Sequence, residues 1–546
     1  MVRLGSIVCT ALLTAAYASR TRCTCIPTDD CWPDENEWHK LNSTVGGRLI
    51  ATVPAASVCH GEAYNESACD AVRQLWDFPQ PHIFASGEIM SPYWQNGSCD
   101  PFSTGCSLGT YVSYSIAVEG PEDVRAGIDF STRHNIRLVI KNTGHDYLGR
   151  STGKGGLGLW MQSLKTAKVL PQYTSKHYSG AAMKLGAGSW AAQGGGHSLL
   201  SSTHGLSADN VLEWEVVTAG GKHLVATPTC HSDLYWALSG GGGGNYAVVL
   251  SVTIRAHPDG PVGGAFLTFN TSMGADKFWD CVWVFHSLLP SVVDAGATAL
   301  YQIMGGTFTL LTMTAPGLTE SEVISLLSPL TAALGSEVYT FVPTVSKTFY
   351  EHSAPSFGPL PFGPIPASDI VSSRLIPRSV VTKRGDELVR TLRDIVAQNF
   401  YVAGQALNVN REKHPPNAVL PAWRLTLLHS IVGTSWNWSV PREQMVAVNE
   451  KLMKQVMPAL EALAPESGIY MNEGNADQVG WQREFFGENY ERLLEVKRKY
   501  DPAGLFYAAV AVGSDAVSID GDGRLCRHEE ETGGCQKDEG KRAPEL

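Results

Sequence analysis

Two glycine-rich segments, each holding a histidine, limit most strongly what this chain can fold into. The first is Asn142-Thr143-Gly144-His145-Asp146-Tyr147-Leu148-Gly149-Arg150-Ser151, which follows Arg137-Leu138-Val139-Ile140-Lys141, a stretch that reads as a strand. The second is Gln193-Gly194-Gly195-Gly196-His197-Ser198, with Gly205-Leu206-Ser207-Ala208-Asp209-Asn210-Val211 shortly after it. Glycine lets a backbone turn tightly and approach a ligand closely. Successive backbone N–H groups in such a loop can cradle a phosphate. A histidine at the centre of such a loop serves as ligand, base or covalent tether, or it is an ordinary solvated residue. Two such loops in one region shift the balance toward a bound cofactor.

The flanking sequence reads as βαβ. Tyr114 to Val118 is a strand, and Gly120-Pro121-Glu122-Asp123 starts a helix, with proline in the first turn and acids at its positive end. Val211 to Thr218 and Lys222 to Thr227 flank a hairpin turn at Ala219-Gly220-Gly221. Ser232 is a plausible N-cap for a helix over Asp233 to Leu238. Five glycines, Gly240 to Gly244, and a strand over Ala247 to Ile254 follow. From about 258 the texture becomes α+β with an antiparallel sheet, with helices over Glu320 to Leu334, Ser379 to Asn399 and Arg442 to Leu463. Residues 466–513 read as a return to the first domain, and 514–546 as a polar tail.

A chain of 546 residues with 43% hydrophobic content is long enough for two cores. The net charge of −11, with no basic patch, argues against nucleic acid as a partner. Arg3, the apolar run Leu4 to Ala16 and the small-x-small site Ala16-Tyr17-Ala18 read as a signal peptide over 1–18, so secretion is expected. No stretch is long and apolar enough to span a membrane, and none is expected as a partner.

Residues 19–113 form a Cys-rich lead-in, in which seven cysteines precede position 107 and predict disulfides. Cys526 and Cys535 could bridge locally, and Cys281, in an apolar stretch, is the candidate free thiol. No Cys-x-x-Cys pair with partner histidines marks zinc, so no metal site is expected. Asn42, Asn65, Asn96, Asn270 and Asn437 each begin a glycosylation sequon.

Together, Arg137 to Ser151 with Gly155-Gly156-Leu157, Gly194 to Val217, Asp233 to Gly244, and Asn489-Tyr490 through Lys499-Tyr500-Asp501-Pro502 resemble one family. It is the FAD-linked oxidases of the vanillyl-alcohol-oxidase type, in their fungal berberine-bridge-enzyme-like branch, and the resemblance covers about 110–513. It implies an α+β fold: a two-part PCMH-type FAD-binding domain (114–257), a substrate domain with an antiparallel sheet and helices (258–465), and a C-terminal segment (466–513) returning to the first domain. It implies FAD held covalently through His145. It also implies cofactor contacts from Asn142, Thr143, Gly144, Asp146, Gly149, Arg150, Ser151, Gly195, Gly196, His197, Gly205, Leu206, Asp209, Val211, Asn489 and Tyr507. Tyr470, Asn472 and Glu473 stand where relatives place residues facing flavin and substrate; a tuned Tyr or Glu can take a proton there, and structural hydrogen bonding at a strand end is the alternative.

The implied activity is oxidation of a small organic substrate, as in secondary metabolism, with hydride passing to flavin and electrons to dioxygen. Between Gly188 and Gln193 only Ser189-Trp190-Ala191-Ala192 intervenes, where the family carries a helix, a strand and a Cys-Pro loop. That departure removes the cysteine of a second flavin bond. It leaves an alternative function open: a non-redox isomerase or cyclase, or an inactive binding protein, on the same fold.

Overall fold

The computed structural model describes residues 21–189, 193–357, 367–410 and 414–528. The signal-peptide reading, Cys535 and the centre of the short junction lie outside these residues.

Three sheets organise the chain around the two loops. In the first, Tyr114–Ala117 and Leu138–Lys141 both pair parallel with Leu157–Trp160, and Leu49–Ala51 adds an antiparallel edge. The crossover helix Pro121–His134 starts with its proline in the first turn and ends on Asn135 in the left-handed conformation. Val124 and Ile128, four apart, face the sheet. Gly127 permits the close approach, since a Cβ there would lie 2.6 Å from Leu159.

The second sheet is antiparallel, in the order Ala167–Thr174, Ser179–Gly186, Ala247–Arg255, Val211–Thr218 and His223–Ala226. Its last two strands form the expected hairpin, with Gly221 at φ +73° supplying the turn.

The third sheet has seven antiparallel strands, with Tyr401–Ala406, Thr426–Ser435 and Asp369–Pro377 adjacent at one side. Helices Ala275–Asp294, Glu320–Leu334, Gly385–Ala397 and Met457–Leu463 pack on it around Phe278, Phe285, Leu327, Leu392 and Leu460. The α+β class is thus observed.

Several local readings are corrected. Ser232 is the first helical residue rather than the cap; His231 caps in the left-handed conformation, with no side-chain hydrogen bond. The helix expected over Ser379 to Asn399 breaks at Arg384 into Arg378–Lys383 and Gly385–Ala397, because the Arg384 side chain turns to bond Glu387 and the Leu463 carbonyl. Cys526 pairs with Cys23, not with Cys535: Leu525–His528 runs antiparallel to Thr21–Cys23 and sets the two cysteines opposite each other. The stretch 514–528 is therefore a clasped sheet and not a loose tail.

The other six cysteines of the lead-in pair locally, as Cys25–Cys31, Cys59–Cys69 and Cys99–Cys106. Among the described residues Cys281 is unpaired and buried, and Cys230 is unpaired and exposed. Asn65, Asn96, Asn270 and Asn437 are exposed and Asn42 is half-buried. Among the described residues no helix is long and apolar enough to cross a membrane.

Candidate active site

The first loop is pinned by Asp146, whose carboxylate accepts from the N–H groups of Leu148 (3.1 Å), Arg150 and Ser151 (3.1 Å). Gly144 and Gly149 sit at φ +85° and +70°, and a Cβ on Gly149 would strike the Trp94 ring at 2.4 Å. Trp94 Nε1 donates to the Tyr147 carbonyl at 2.9 Å, and Arg150 Nε donates to the Ala509 carbonyl at 3.2 Å. Asn142 donates to the Ala187 carbonyl, while its own Oδ1 is buried with no partner among the described residues. Thr143 is half-buried beside it. His145 has surface open to solvent, and its partial burial, with His82 nearby, lowers its imidazole pKa.

The second loop meets the turn Met471–Glu473. Gly194 lies so close to Asn472 that a Cβ would be 2.5 Å from its amide. Gly195 and Gly196, at φ +113° and +74°, turn the chain, and their carbonyls accept from Ala208 (2.9 Å) and Ser207 (2.7 Å). His197 Nε2 stands 3.1 and 3.2 Å from the two carboxylate oxygens of Glu473. His429, from strand Thr426–Ser435, places its Nε2 3.4 Å from Glu473 Oε2 but outside hydrogen-bonding geometry. Asn472 Nδ2 donates to the Tyr470 hydroxyl at 2.8 Å. Tyr470 and Trp423 wall the group, each with its ring centroid within 6.2 Å of those of both histidines.

The electrostatics follow from enclosure. Burial alone would raise the Glu473 carboxyl, but the charges of His197 and His429 and the hydrogen bond from His197 hold it at about 2. Burial opposes charge on His197 as well, and Glu473 outweighs it, so that imidazole is raised above its usual range. Burial leaves His429 at about 4 and keeps it neutral. Burial, and then the Glu473 charge, raise the Tyr470 phenol. Tyr147, raised by burial, also feels Asp369 and Glu473, and Arg150 feels Tyr470, so these residues of the first loop lie within electrostatic reach of that group.

The other residues singled out in the sequence divide in two. Asp209 is gripped by Arg424 (2.8 and 2.7 Å) and Asn417 (2.7 Å), and it accepts from Leu206 N–H at 2.9 Å with Gly205 folded over it. Val211 is fully buried, and its carbonyl accepts from the Tyr235 hydroxyl at 2.7 Å. Asn489 donates to the carbonyls of Ala418 (3.3 Å) and Val419 (3.2 Å). Of these three, Asp209 fixes the turn whose Ser207 and Ala208 N–H groups hold the second loop. Tyr507, over which Arg137 stacks at 5.1 Å, lines a cavity together with Gly149 of the first loop. His429 and Trp423 carry no motif and were not singled out; a lone histidine in Leu427-Leu428-His429-Ser430-Ile431 gives no spacing signal.

The donor set fits a flavin at this place. A neutral imidazole with no hydrogen bond among the described residues, the orphaned Asn142 Oδ1 and a stretch of bare glycine backbone suit a flat heterocycle with ring N–H groups. Beyond Asn142 the space narrows to a cavity of about 40 Å³, lined by Ala187, Gln193, Trp214 and Gly244. There the Gln193 carbonyl accepts from Gly240 (3.0 Å) and Gly242 (2.9 Å).

Residues 469–513 match the family described as berberine and berberine like. The VAO-type flavoprotein oxidase VAO615 of Thermothelomyces thermophilus is 42% identical, covering 96% of this chain and 99% of its own. The bifunctional decalin synthase calF of Penicillium decumbens is 41% identical, covering 92% and 95%. The crystal structure of the VAO-type flavoprotein MtVAO615 from Myceliophthora thermophila C1 superposes with a TM-score of 0.89 at 42% identity, covering 93% of this chain and all of that one. A glucooligosaccharide oxidase of Acremonium strictum shares the fold, with a TM-score of 0.60 at 16% identity. The alignment with VAO615 spans 572 residues, more than the 546 of this chain, so that relative has internal residues without counterpart here.

Proposed function

The chain belongs to the VAO-type FAD-linked oxidoreductases, and on that premise we propose that it is a secreted oxidase of a small organic substrate of secondary metabolism, with dioxygen as electron acceptor. The observation that carries this is the His197–Glu473 contact beside Tyr470. Bound FAD supplies the two-electron acceptor, and dioxygen leaves as hydrogen peroxide.

The chain's own groups supply the rest. His145, neutral and without a hydrogen bond among the described residues, is the residue that ties the cofactor covalently. Asn142 and the bare backbone of Gly195 and Gly196 hold the ring. The Tyr470 hydroxyl, fixed by Asn472, orients the substrate oxygen, and the His197 imidazole in its neutral form, made more basic by Glu473, takes the proton that this oxygen gives up. Trp423 and the buried His429 keep water out behind the pair. The short junction cannot contribute a second covalent bond, because Gly188 to Gln193 contains no cysteine.

The test is direct. Purified protein should be yellow, its flavin should stay with the acid-precipitated polypeptide, and His145→Ala should release it to the supernatant. Substrate turnover should yield hydrogen peroxide one to one. A colourless protein that takes up no FAD would sink the reading.

One observation favours a second reading. Relatives carry internal residues that this chain lacks, and the Gln193 carbonyl occupies N–H groups of the Gly240–Gly244 loop. A protein with a weakened cofactor site would act as an isomerase, cyclase or binder. Turnover without oxygen consumption distinguishes it.

A further inference from the structure

We infer that His197, His429 and Glu473 form a binding site for a divalent transition-metal ion of the zinc type, and that an ion there inhibits the chain. The three residues come from three separate segments, the Gly194–Ser198 loop, the strand Thr426–Ser435 and the turn Met471–Glu473. Their donor atoms all lie within 4.8 Å of one another. Three ligands around one zinc ion sit about 3.3 Å apart, given metal–ligand bonds of about 2.0–2.1 Å. The observed separations are 3.1 Å from His197 Nε2 to Glu473 and 3.4 Å from His429 Nε2 to Glu473, so two of the three edges already match, and the imidazole donors lie within 4.8 Å of each other.

An independent observation points the same way. The His429 side chain is completely buried, and neither of its ring nitrogens has a hydrogen-bond partner among the described residues. A buried polar atom left unpaired is costly, and a metal bond to Nε2 removes half of that cost. Two imidazoles and one carboxylate suit zinc, cobalt or iron rather than calcium or magnesium, which favour oxygen ligands. Glu473 and His197 keep 25% and 19% of their side-chain surface, which leaves an entry path and an open coordination position.

The inhibitory part rests on the function proposed above. An ion held by His197 and Glu473 removes both from proton transfer at the substrate oxygen.

The experiment is calorimetric titration of Zn²⁺ into the full secreted protein, cleared of metal with a chelator and dialysed, without substrate. One saturable site per chain is expected, with a rise in thermal midpoint as zinc is added. Glu473→Gln, which preserves volume, should weaken that site at least tenfold, and His429→Asn likewise. His223→Gln, which removes the exposed His223–Glu215 pair, should leave it unchanged. A wild type with no saturable site, or a Glu473→Gln protein that binds zinc as tightly, overturns the assignment. So does loss of the site in His223→Gln. Peroxide production is measured separately at zero and saturating zinc. Binding without inhibition would refute the inhibitory role and leave the site standing, whereas a chain that makes no peroxide at all refutes the oxidase reading alone.

Discussion

Cys23 and Cys526, 503 residues apart, are joined by a disulfide with their Cα atoms 3.9 Å from each other. The bond fastens strand Leu525–His528 to strand Thr21–Cys23, and Arg524 reinforces it by holding Asp29 at 2.6 and 2.9 Å. The two ends of the described chain thereby close over the Arg137–Tyr507 stack.

Removing that clasp should be felt as stability. The double substitution Cys23→Ser with Cys526→Ser should cost about 2–4 kcal/mol. Limited proteolysis should then cut within 514–528 first. A double variant that melts like the wild type would show that the strand pairing and Arg524 suffice.

Chemistry should depend on the His197–Glu473 pair more than on substrate binding. Glu473→Gln keeps the shape but removes the charge that makes the His197 imidazole more basic. The expected loss is about 10²–10⁴-fold in kcat with KM little changed, read as the rate of flavin reduction in stopped flow. A large rise in KM at constant kcat would instead make the pair a binding contact.

Lys141 should impose a pH dependence on folding. Its Nζ donates to the carbonyls of His82 (2.9 Å) and Ala85 (2.6 Å), and burial, only partly offset by Glu88, lowers its pKa to about 7. The unfolded chain keeps a lysine near its usual value of about 10.4, so between these limits it binds more protons than the fold does. Stability therefore rises with pH from about 7 toward 10, by up to about 1.4 kcal/mol per unit, and the penalty is complete below 7. Thermal midpoints of the wild type and Lys141→Met should diverge over this range, the variant lacking the rise. Parallel curves would mean that Lys141 stays charged.

The short junction should limit cofactor content. Inserting a family-type helix and strand between Gly188 and Gln193 should displace the Gln193 carbonyl from Gly240 and Gly242. Flavin per chain and the thermal midpoint should rise together, because a covering helix buries apolar area worth about 25 cal/mol per Å². Full flavin occupancy in the chain as it stands, with one sharp transition, would rule this out.

Much of this protein was legible because it is local. Gly120-Pro121 starts a helix, Gly221 turns a hairpin, and the alternation along Val211 to Thr218 makes a strand wherever it stands. The two glycine–histidine loops, and through them the family, are likewise written in consecutive residues. The proline in the first turn and the glycine at positive φ act through the covalent geometry of one or two residues, so no distant part of the chain is needed to decide them.

Tertiary structure alone decided the partners. His197, His429 and Glu473 are separated by more than two hundred residues at their extremes, yet meet within 4.8 Å, and Asp209 pairs with Arg424, 215 residues away. Cys526 has a near neighbour in sequence, yet it bonds Cys23 because antiparallel pairing sets the two ends side by side. A charge or a thiol finds its partner by distance in space, and at these separations packing of whole sheets and not local spacing sets that distance.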